Sequence, residues 1–169
     1  MQGNQNAMMC FLQEAKVHRS LNHTNIVHMN DFGYCANTGQ VYLVMEFIKG
    51  VTLLDFITEN RLLAPKITLH ISLKIASALD YALQEGIIHR DLKPENVLID
   101  KQAGLIKIAD FGLGKKLVEQ GITLSGRTMG TLFYMPLEQV RDSKKVDHRA
   151  DIYGLGATMY HMLTGRPHF

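Results

Sequence analysis

The stretch that decides the fold is His89-Arg90-Asp91-Leu92-Lys93-Pro94-Glu95-Asn96. Short apolar runs flank it, Ile87-Ile88 before and Val97-Leu98-Ile99 after, and these predict strands. A third run, Leu105-Ile106-Lys107-Ile108, leads into Asp110-Phe111-Gly112. Functional residues are concentrated in loops that rigid elements position, so we expect these two polar segments to form a site.

Residues 89–96 match the catalytic loop of eukaryotic-type protein kinases at every position, in the serine/threonine form with a lysine two residues after the aspartate. Residues 110–112 resemble the family's metal-binding triplet. The resemblance implies an α+β, protein-kinase-like fold and ATP-dependent phosphoryl transfer to serine or threonine hydroxyls of protein substrates. The segments DHRADIYGLG (147–156) and LTGRP (163–167) are most similar to bacterial serine/threonine kinases.

The resemblance assigns catalytic roles to four side chains. Asp91 would accept a hydrogen bond from the substrate hydroxyl and take its proton late, as a general base. Lys93 would meet the γ-phosphate as a compact positive charge. Asn96 and Asp110 would supply the oxygen ligands that Mg²⁺ prefers, and the metal bridges the triphosphate of ATP. An isolated Asp or Asn in a loop is usually a turn former, but the joint spacing favours the functional interpretation.

Further segments match the nucleotide-binding parts of the same family. Met45-Glu46-Phe47-Ile48 resembles the gatekeeper and hinge, where main-chain groups of Glu46 and Ile48 would hydrogen-bond adenine. Glu14, within a helix predicted over 7–21, matches the αC glutamate that pairs with a nucleotide-contacting lysine. The implied cofactors are therefore ATP and Mg²⁺.

Residues 110–138 resemble the activation segment of a kinase. Thr131 would contact Asp91 and Lys93 and favour hydroxyl over phenol substrates. Glu138 matches a glutamate whose arginine partner lies, in the family, in helices beyond the position of residue 169. Asp151, in a helix predicted over 150–163, matches the residue that hydrogen-bonds the backbone of the catalytic loop.

Arg90, directly before Asp91, and Lys115 would form one cationic pocket. A phosphate on Ser125 or Thr128 would bind there and order the segment. The alternative is that both hydroxyls belong to solvated loop residues.

Composition narrows the class of protein. The 169 residues include 18 Lys and Arg against 16 Asp and Glu, a balance too even to favour a nucleic acid or a membrane surface as a partner. Cys10 and Cys35 are too few for a disulfide framework. This low cysteine count leads us to expect a reducing, cytoplasmic location. No 18 consecutive residues are apolar, so we expect no membrane contact within this segment.

Apolar periodicity predicts the remaining layout. Runs 27–35 and 41–47 predict a hairpin, and the nearly continuous apolar run 41–47 indicates burial on both faces. Pro65 opens a helix with apolar residues in steps of four, and Gly86 closes it. Helix 150–163 is apolar on almost every side, which predicts a buried core helix.

The resemblance begins at the αC helix and ends shortly after helix 150–163. No glycine-rich loop precedes Glu14, and residues 1–13 contain no lysine. We therefore expect a partial kinase domain over 1–169, with 1–47 as the remnant of the N-lobe (αC and the β4–β5 hairpin of the family) and 48–169 as hinge and C-lobe. We expect the chain to be either a fragment or a degenerate relative, and we expect this chain alone to be poorly soluble, to hold ATP weakly and to be inactive.

Two other functions remain open at this point. A pseudokinase or scaffold would use the helical lobe for docking, but it has no need of an intact Asp91, Lys93, Asn96 and Asp110. A small-molecule phosphotransferase with kinase-like architecture would lack the long activation segment.

Overall fold

The computed structural model describes residues 15–35, 38, 40–111, 129–141 and 146–168. Its named elements are β1 Met29–Cys35, β2 Gln40–Met45, β3 Val51–Thr52, α1 Leu53–Asn60, α2 Pro65–Gln84, β4 Val97–Asp100, β5 Leu105–Ile108, α3 Leu137–Arg141 and α4 Arg149–Thr164. Residues 15–19 are also helical, and Pro94–Asn96 and Met129–Tyr134 form 3₁₀ turns. This mixture of helices and small sheets confirms the predicted α+β class.

Strands β1 and β2 form the predicted antiparallel hairpin, with Phe32 opposite Leu43 and Met29 opposite Met45. The expectation that 41–47 is buried on both faces was wrong. Val41 and Leu43 pack against the small cluster around Ala15 and Met29, whereas alternate residues of β2 are exposed. A two-stranded ribbon offers one face to the core, so the period-two rule applies even where both sets of side chains are apolar.

A second antiparallel sheet has the strand order β3-β4-β5. It is joined to the start of the hairpin because Val27 N–H donates to Ile108 O at 2.8 Å and Ile108 N–H donates to Asn25 O at 2.8 Å. Strands β4 and β5 are those predicted from their apolar runs, but Ile87-Ile88 is not a strand. The sheet positions the site, because β4 starts directly after Asn96 and β5 ends two residues before Asp110.

Helix α2 follows the predicted pattern from Pro65 at its first turn to Gly86, which has a left-handed φ of 75° just beyond the helix. Helix α1 was not predicted, although it begins with a capping box: Thr52 Oγ1 accepts from Asp55 N–H, and the Asp55 carboxylate accepts from Thr52 N–H. Helix α1 buries Leu53 and Ile57, and the buried face of α2 combines aliphatic residues with Thr68 and Ser72.

Helix α4 spans the predicted core helix but is not buried on every side. Its buried face contains small and polar residues together with Met162, while Ile152 and Tyr160 lie on an exposed face. The buried face packs on α2 and on the segment before β4, so small residues allow close approach there. A Cβ added to Gly154 would lie 3.0 Å from Leu92 O.

The main core lies between the helices and the second sheet. Its largest fully buried apolar side chains are Leu53, Ile57, Ile75, Val97, Ile108 and Met162. Each side chain of this size contributes about 1.5–3 kcal/mol through removal from water. None of the helices within the described ranges is both long and apolar enough to cross a membrane.

We predict that Gly165→Ala destabilises the fold more than Gly86→Ala. Both glycines have a φ of 75°, so both substitutions carry the left-handed penalty of about 1–2 kcal/mol for a residue with a Cβ. A Cβ at position 165 would also overlap the backbone oxygen of Arg61, whereas one at position 86 would meet nothing within 4 Å. Urea denaturation measures the difference, and equal losses would contradict the packing described here.

Candidate active site

The carboxylate of Asp151 anchors the segment 89–96 to the first turn of α4. Its Oδ2 accepts from His89 N–H and its Oδ1 from Arg90 N–H, each at 2.8 Å. Arg90 has a φ of 63°, a strained conformation for a residue with a side chain, and its carbonyl accepts from Gln139 Nε2 at 2.6 Å. Hydrogen bonds from two helices therefore hold the turn that leads into Asp91.

His89 connects this segment to the residues after β5. The ring is fully buried, its Nε2 lies 3.0 Å from Ala109 O, and its Nδ1 accepts from Asp91 N–H at 3.2 Å. Burial lowers the pKa of His89, and this outweighs the opposing effects of Asp151, Asp91 and Asp110. The imidazole is therefore neutral and donates through Nε2.

Ring contacts extend this connection. The His89 and Phe111 ring centroids are 4.6 Å apart, and the ring of His18 lies 6.0 Å from that of Phe111 on another side. Phe111 is buried. Both Phe111 and His89 therefore pack between segments of the chain.

Three of the predicted catalytic side chains lie together. Asn96 Nδ2 donates to the backbone oxygen of Asp91 at 2.8 Å and lies 3.3 Å from its Oδ2. Lys93 Nζ is 3.5 Å from the same Oδ2. The Lys93 and Asp91 side chains are 15% and 19% exposed, so solvent screens the attraction between their charges only weakly.

Asp110 lies beside this group at the end of β5. Ala109 N–H donates to Asn96 O at 2.8 Å, which sets the backbone leading into Asp110 against Asn96. Asp110 is exposed and has a left-handed φ of 57°. The carboxylate is close enough to His89 to influence its pKa.

The donors at this edge fit a magnesium ion. Within the described ranges no three His, Cys, Asp or Glu side chains form a cluster that could hold a metal ion. Mg²⁺ needs no such cage, because it is commonly held by one or two carboxylates together with phosphate oxygens and water. Asp110 and the amide oxygen of Asn96 match that requirement.

The hinge-like residues begin with the last residue of β2. Met45 is paired with Met29, Glu46 N–H donates to His28 O at 2.9 Å, and Gly50 N–H donates to Ile48 O at 2.9 Å. This backbone therefore crosses from the hairpin to β3 in a defined path.

The other predicted residues are only partly within the described ranges. Thr131 lies in the 3₁₀ turn Met129–Tyr134, and Glu138 lies in α3, where its charge helps to raise the pKa of Arg149 after the larger effect of Asp147. The predicted residues Glu14, Lys115, Ser125 and Thr128 lie outside the described residues.

Sequence reasoning missed two contacts near the site. Gln139 was not predicted to support Arg90, and no local pattern marks it. Lys107 alternates with the buried Ile106 and Ile108 in β5, which predicts a solvated side chain, yet its ammonium group contacts Glu46 and its side chain is only 12% exposed. The burial of Lys107 depends on a residue 61 positions away.

The comparisons with known proteins agree with this geometry. A family model described as "Protein kinase domain" matches residues 2–169. The chain is 40% identical over 160 residues to the probable serine/threonine-protein kinase PknB of Lactococcus lactis subsp. lactis (strain IL1403), covering 95% of this chain and 25% of that protein. It is 41% identical over 156 residues to the serine/threonine-protein kinase PrkC of Bacillus subtilis (strain 168), covering 92% and 24%.

Solved structures give the same result. The chain is similar to Rad53 1–466 in complex with AMP-PNP, with a TM-score of 0.76 and 32% identity over 100% of this chain and 39% of that one. It is similar to the PknI kinase domain of Mycobacterium tuberculosis, with a TM-score of 0.75 and 29% identity over 96% of this chain and 59% of that one.

The chain therefore belongs to the protein kinase domain family, and the resemblance stated from its motifs is confirmed. It spans about a quarter of the length of the curated relatives it matches.

We predict that Asp151→Asn destabilises the fold by about 1–3 kcal/mol, because an amide has one acceptor oxygen and its NH₂ group would face a backbone N–H. Asp147→Asn is the matched control, since Asp147 pairs with Arg149 at the exposed start of α4. Chemical denaturation of both variants measures the difference. A loss for Asp151→Asn no larger than that of the control would contradict the anchoring role.

Proposed function

We propose that this protein is an ATP-dependent serine/threonine protein kinase that transfers the γ-phosphoryl group of Mg-ATP to hydroxyls of protein substrates. The observation that carries the proposal is the contact group of Asp91, Lys93 and Asn96, with Asp110 beside it. Phosphoryl transfer needs mainly positioning and neutralisation of charge, and this group offers a base, a cation and two oxygen ligands.

Asp91 is the general base in this proposal. One of its carboxylate oxygens lies near both Lys93 Nζ and Asn96 Nδ2, and these two contacts fix its orientation. A substrate hydroxyl would donate to the carboxylate and release its proton there as its oxygen bonds to the γ-phosphorus, while the bond from that phosphorus to the β–γ bridging oxygen breaks and ADP leaves. Lys93 would then be placed to neutralise charge on the γ-phosphate.

Asn96 and Asp110 would hold the magnesium ion. The Asn96 amide nitrogen is engaged with Asp91, which leaves its oxygen as the group that can face a cation. When bound, the metal neutralises and orients the triphosphate. Backbone groups of Glu46 and Ile48, with Met45 at the back of the pocket, would hold adenine.

The activation segment has a regulatory role in this proposal. Thr131 would face Asp91 and Lys93 and select aliphatic hydroxyls. Arg90, with Lys115, would bind a phosphate on Ser125 or Thr128. The division between lobes would fall between residues 47 and 48, within the segment that joins β2 to β3.

We predict that Asp91→Asn reduces phosphoryl transfer by about 10² or more, because an amide cannot take the hydroxyl proton. The measurement is transfer of radiolabelled γ-phosphate from Mg-ATP to a protein substrate by the complete gene product, followed by identification of the phosphorylated amino acid. Asp80→Asn, a change on the exposed side of α2, is the control and should leave the rate unchanged. Full activity in Asp91→Asn, or phosphotyrosine as the product, would overturn the proposal.

We also predict weak ATP binding by a polypeptide of these 169 residues alone. They contain neither a glycine-rich loop nor a lysine before Glu14 to hold the phosphates from above. Tyr42 and Val44 are exposed on the open face of the hairpin, which should also lower solubility. Isothermal titration calorimetry tests this, and micromolar affinity in the folded 169-residue chain would show the expectation to be wrong.

A further inference from the structure

An ion pair between Glu46 and Lys107 joins three segments around the hinge. Glu46 Oε1 accepts from Lys107 Nζ at 2.5 Å and from His28 N–H at 2.8 Å. The backbone N–H of Glu46 donates to His28 O, so two hydrogen bonds tie Glu46 to the residue before β1. Lys107 Nζ also lies 3.3 Å from Ile26 O. The hinge, the start of the hairpin and β5 therefore meet at one pair of charges.

The pair is largely shielded from water. The Lys107 side chain is 12% exposed and that of Glu46 is 30% exposed. Burial alone would raise the pKa of Glu46, but the hydrogen bonds from Lys107 and from the backbone of His28 outweigh it, and the net pKa is lowered. Glu46 is therefore a carboxylate near neutral pH. Burying an ammonium group costs free energy unless a counter-charge lies beside it, so Lys107 and Glu46 each hold the other in place.

The position of the pair connects the two ends of the candidate nucleotide site. Glu46 begins the segment whose backbone would hold adenine, and Lys107 lies three residues before Asp110, which would hold the metal. Strand β5, which carries Lys107, is paired with β4 along its full length and ends two residues before Asp110. If the distance between the adenine contacts and the metal ligand is fixed before the nucleotide binds, less conformational entropy is lost on binding.

We propose that Lys107 is a positioning residue that acts through Glu46 to set the affinity for ATP. The proposal rests on the proposed function, in which the backbone at 46 and 48 binds adenine. Lys107 contacts Glu46 and the Ile26 carbonyl, and its role is to hold the hinge against β5. The transfer step itself depends on Asp91, Lys93, Asn96 and Asp110, so loss of the pair should weaken binding and leave the chemical step intact.

A second lysine–glutamate pair offers a matched control. Lys101 Nζ lies 2.8 Å from Glu59 Oε2, but both side chains are more than half exposed and the pair joins α1 to the turn after β4. An exposed pair contributes little, and this one touches neither the hinge nor the metal ligands. Glu59→Gln neutralises the glutamate of a lysine–glutamate ion pair that lies away from the hinge.

The test is steady-state kinetics of the complete gene product with ATP as the varied substrate. Lys107→Met and Glu46→Gln should each raise KM for ATP about fivefold to tenfold and leave kcat within about twofold, and the double variant should lose little more than either single one. Lys107→Arg keeps the charge and should restore most of the affinity. Glu59→Gln should match the wild type. Thermal denaturation without nucleotide identifies any variant that fails to fold.

Several results would overturn the proposal: an unchanged KM in folded Lys107→Met, a change in kcat in place of KM, or an equal effect of Glu59→Gln. Calorimetric binding of Mg²⁺ with AMP-PNP separates this proposal from the proposed function. A wild-type protein that binds the analogue but transfers no phosphate would remove only the proposed reaction. Equal binding by wild type and Lys107→Met would remove only the role of the ion pair, and no binding by either would remove both.

Discussion

The two hydrogen bonds from backbone N–H groups to the buried carboxylate of Asp151 are the constraint on which the site depends. Burying a carboxylate without hydrogen-bond donors would cost free energy, and the turn at Arg90 is strained. The two hydrogen bonds therefore satisfy the carboxylate of Asp151 and also hold the strained turn in place. Because Asp151 belongs to α4, the core helix and the segment 89–96 form one rigid unit. This unit sets the positions of Asp91 and Asn96. The neutral, buried His89 links it to the residues after β5 through its hydrogen bonds with Asp91 N–H and Ala109 O.

Individual helices and strands could be predicted from local patterns, because the apolar periodicity of one element lies within a single contiguous stretch of sequence. The steps of four in α2 and the apolar runs of β4 and β5 predicted those elements within a residue or two. The burial of β2 could not be predicted in this way, because an apolar run does not indicate whether one face or both faces of the strand pack against the core. Helix α1 was missed although Thr52 and Asp55 form a capping box, a signal that apolar periodicity ignores.

The candidate site was predictable to the extent that its residues are close in sequence. Asp91, Lys93 and Asn96 lie within one eight-residue motif, and Asp110 follows at a fixed spacing. Contacts that depend on distant segments could not be predicted: Gln139 with the carbonyl of Arg90, and Lys107 with Glu46, are pairs 49 and 61 residues apart. Such pairs arise from the packing of whole elements, and nothing in either local sequence indicates the partner.

The most direct test of the central claim is a crystal structure of the complete gene product with Mg²⁺ and AMP-PNP. The account predicts a magnesium ion at about 2.0–2.1 Å from the amide oxygen of Asn96 and a carboxylate oxygen of Asp110. Adenine should lie against the backbone at Glu46 and Ile48, and the carboxylate of Asp91 should face the open side of the γ-phosphate. A nucleotide bound elsewhere, or a metal ion that touches neither Asn96 nor Asp110, would contradict it.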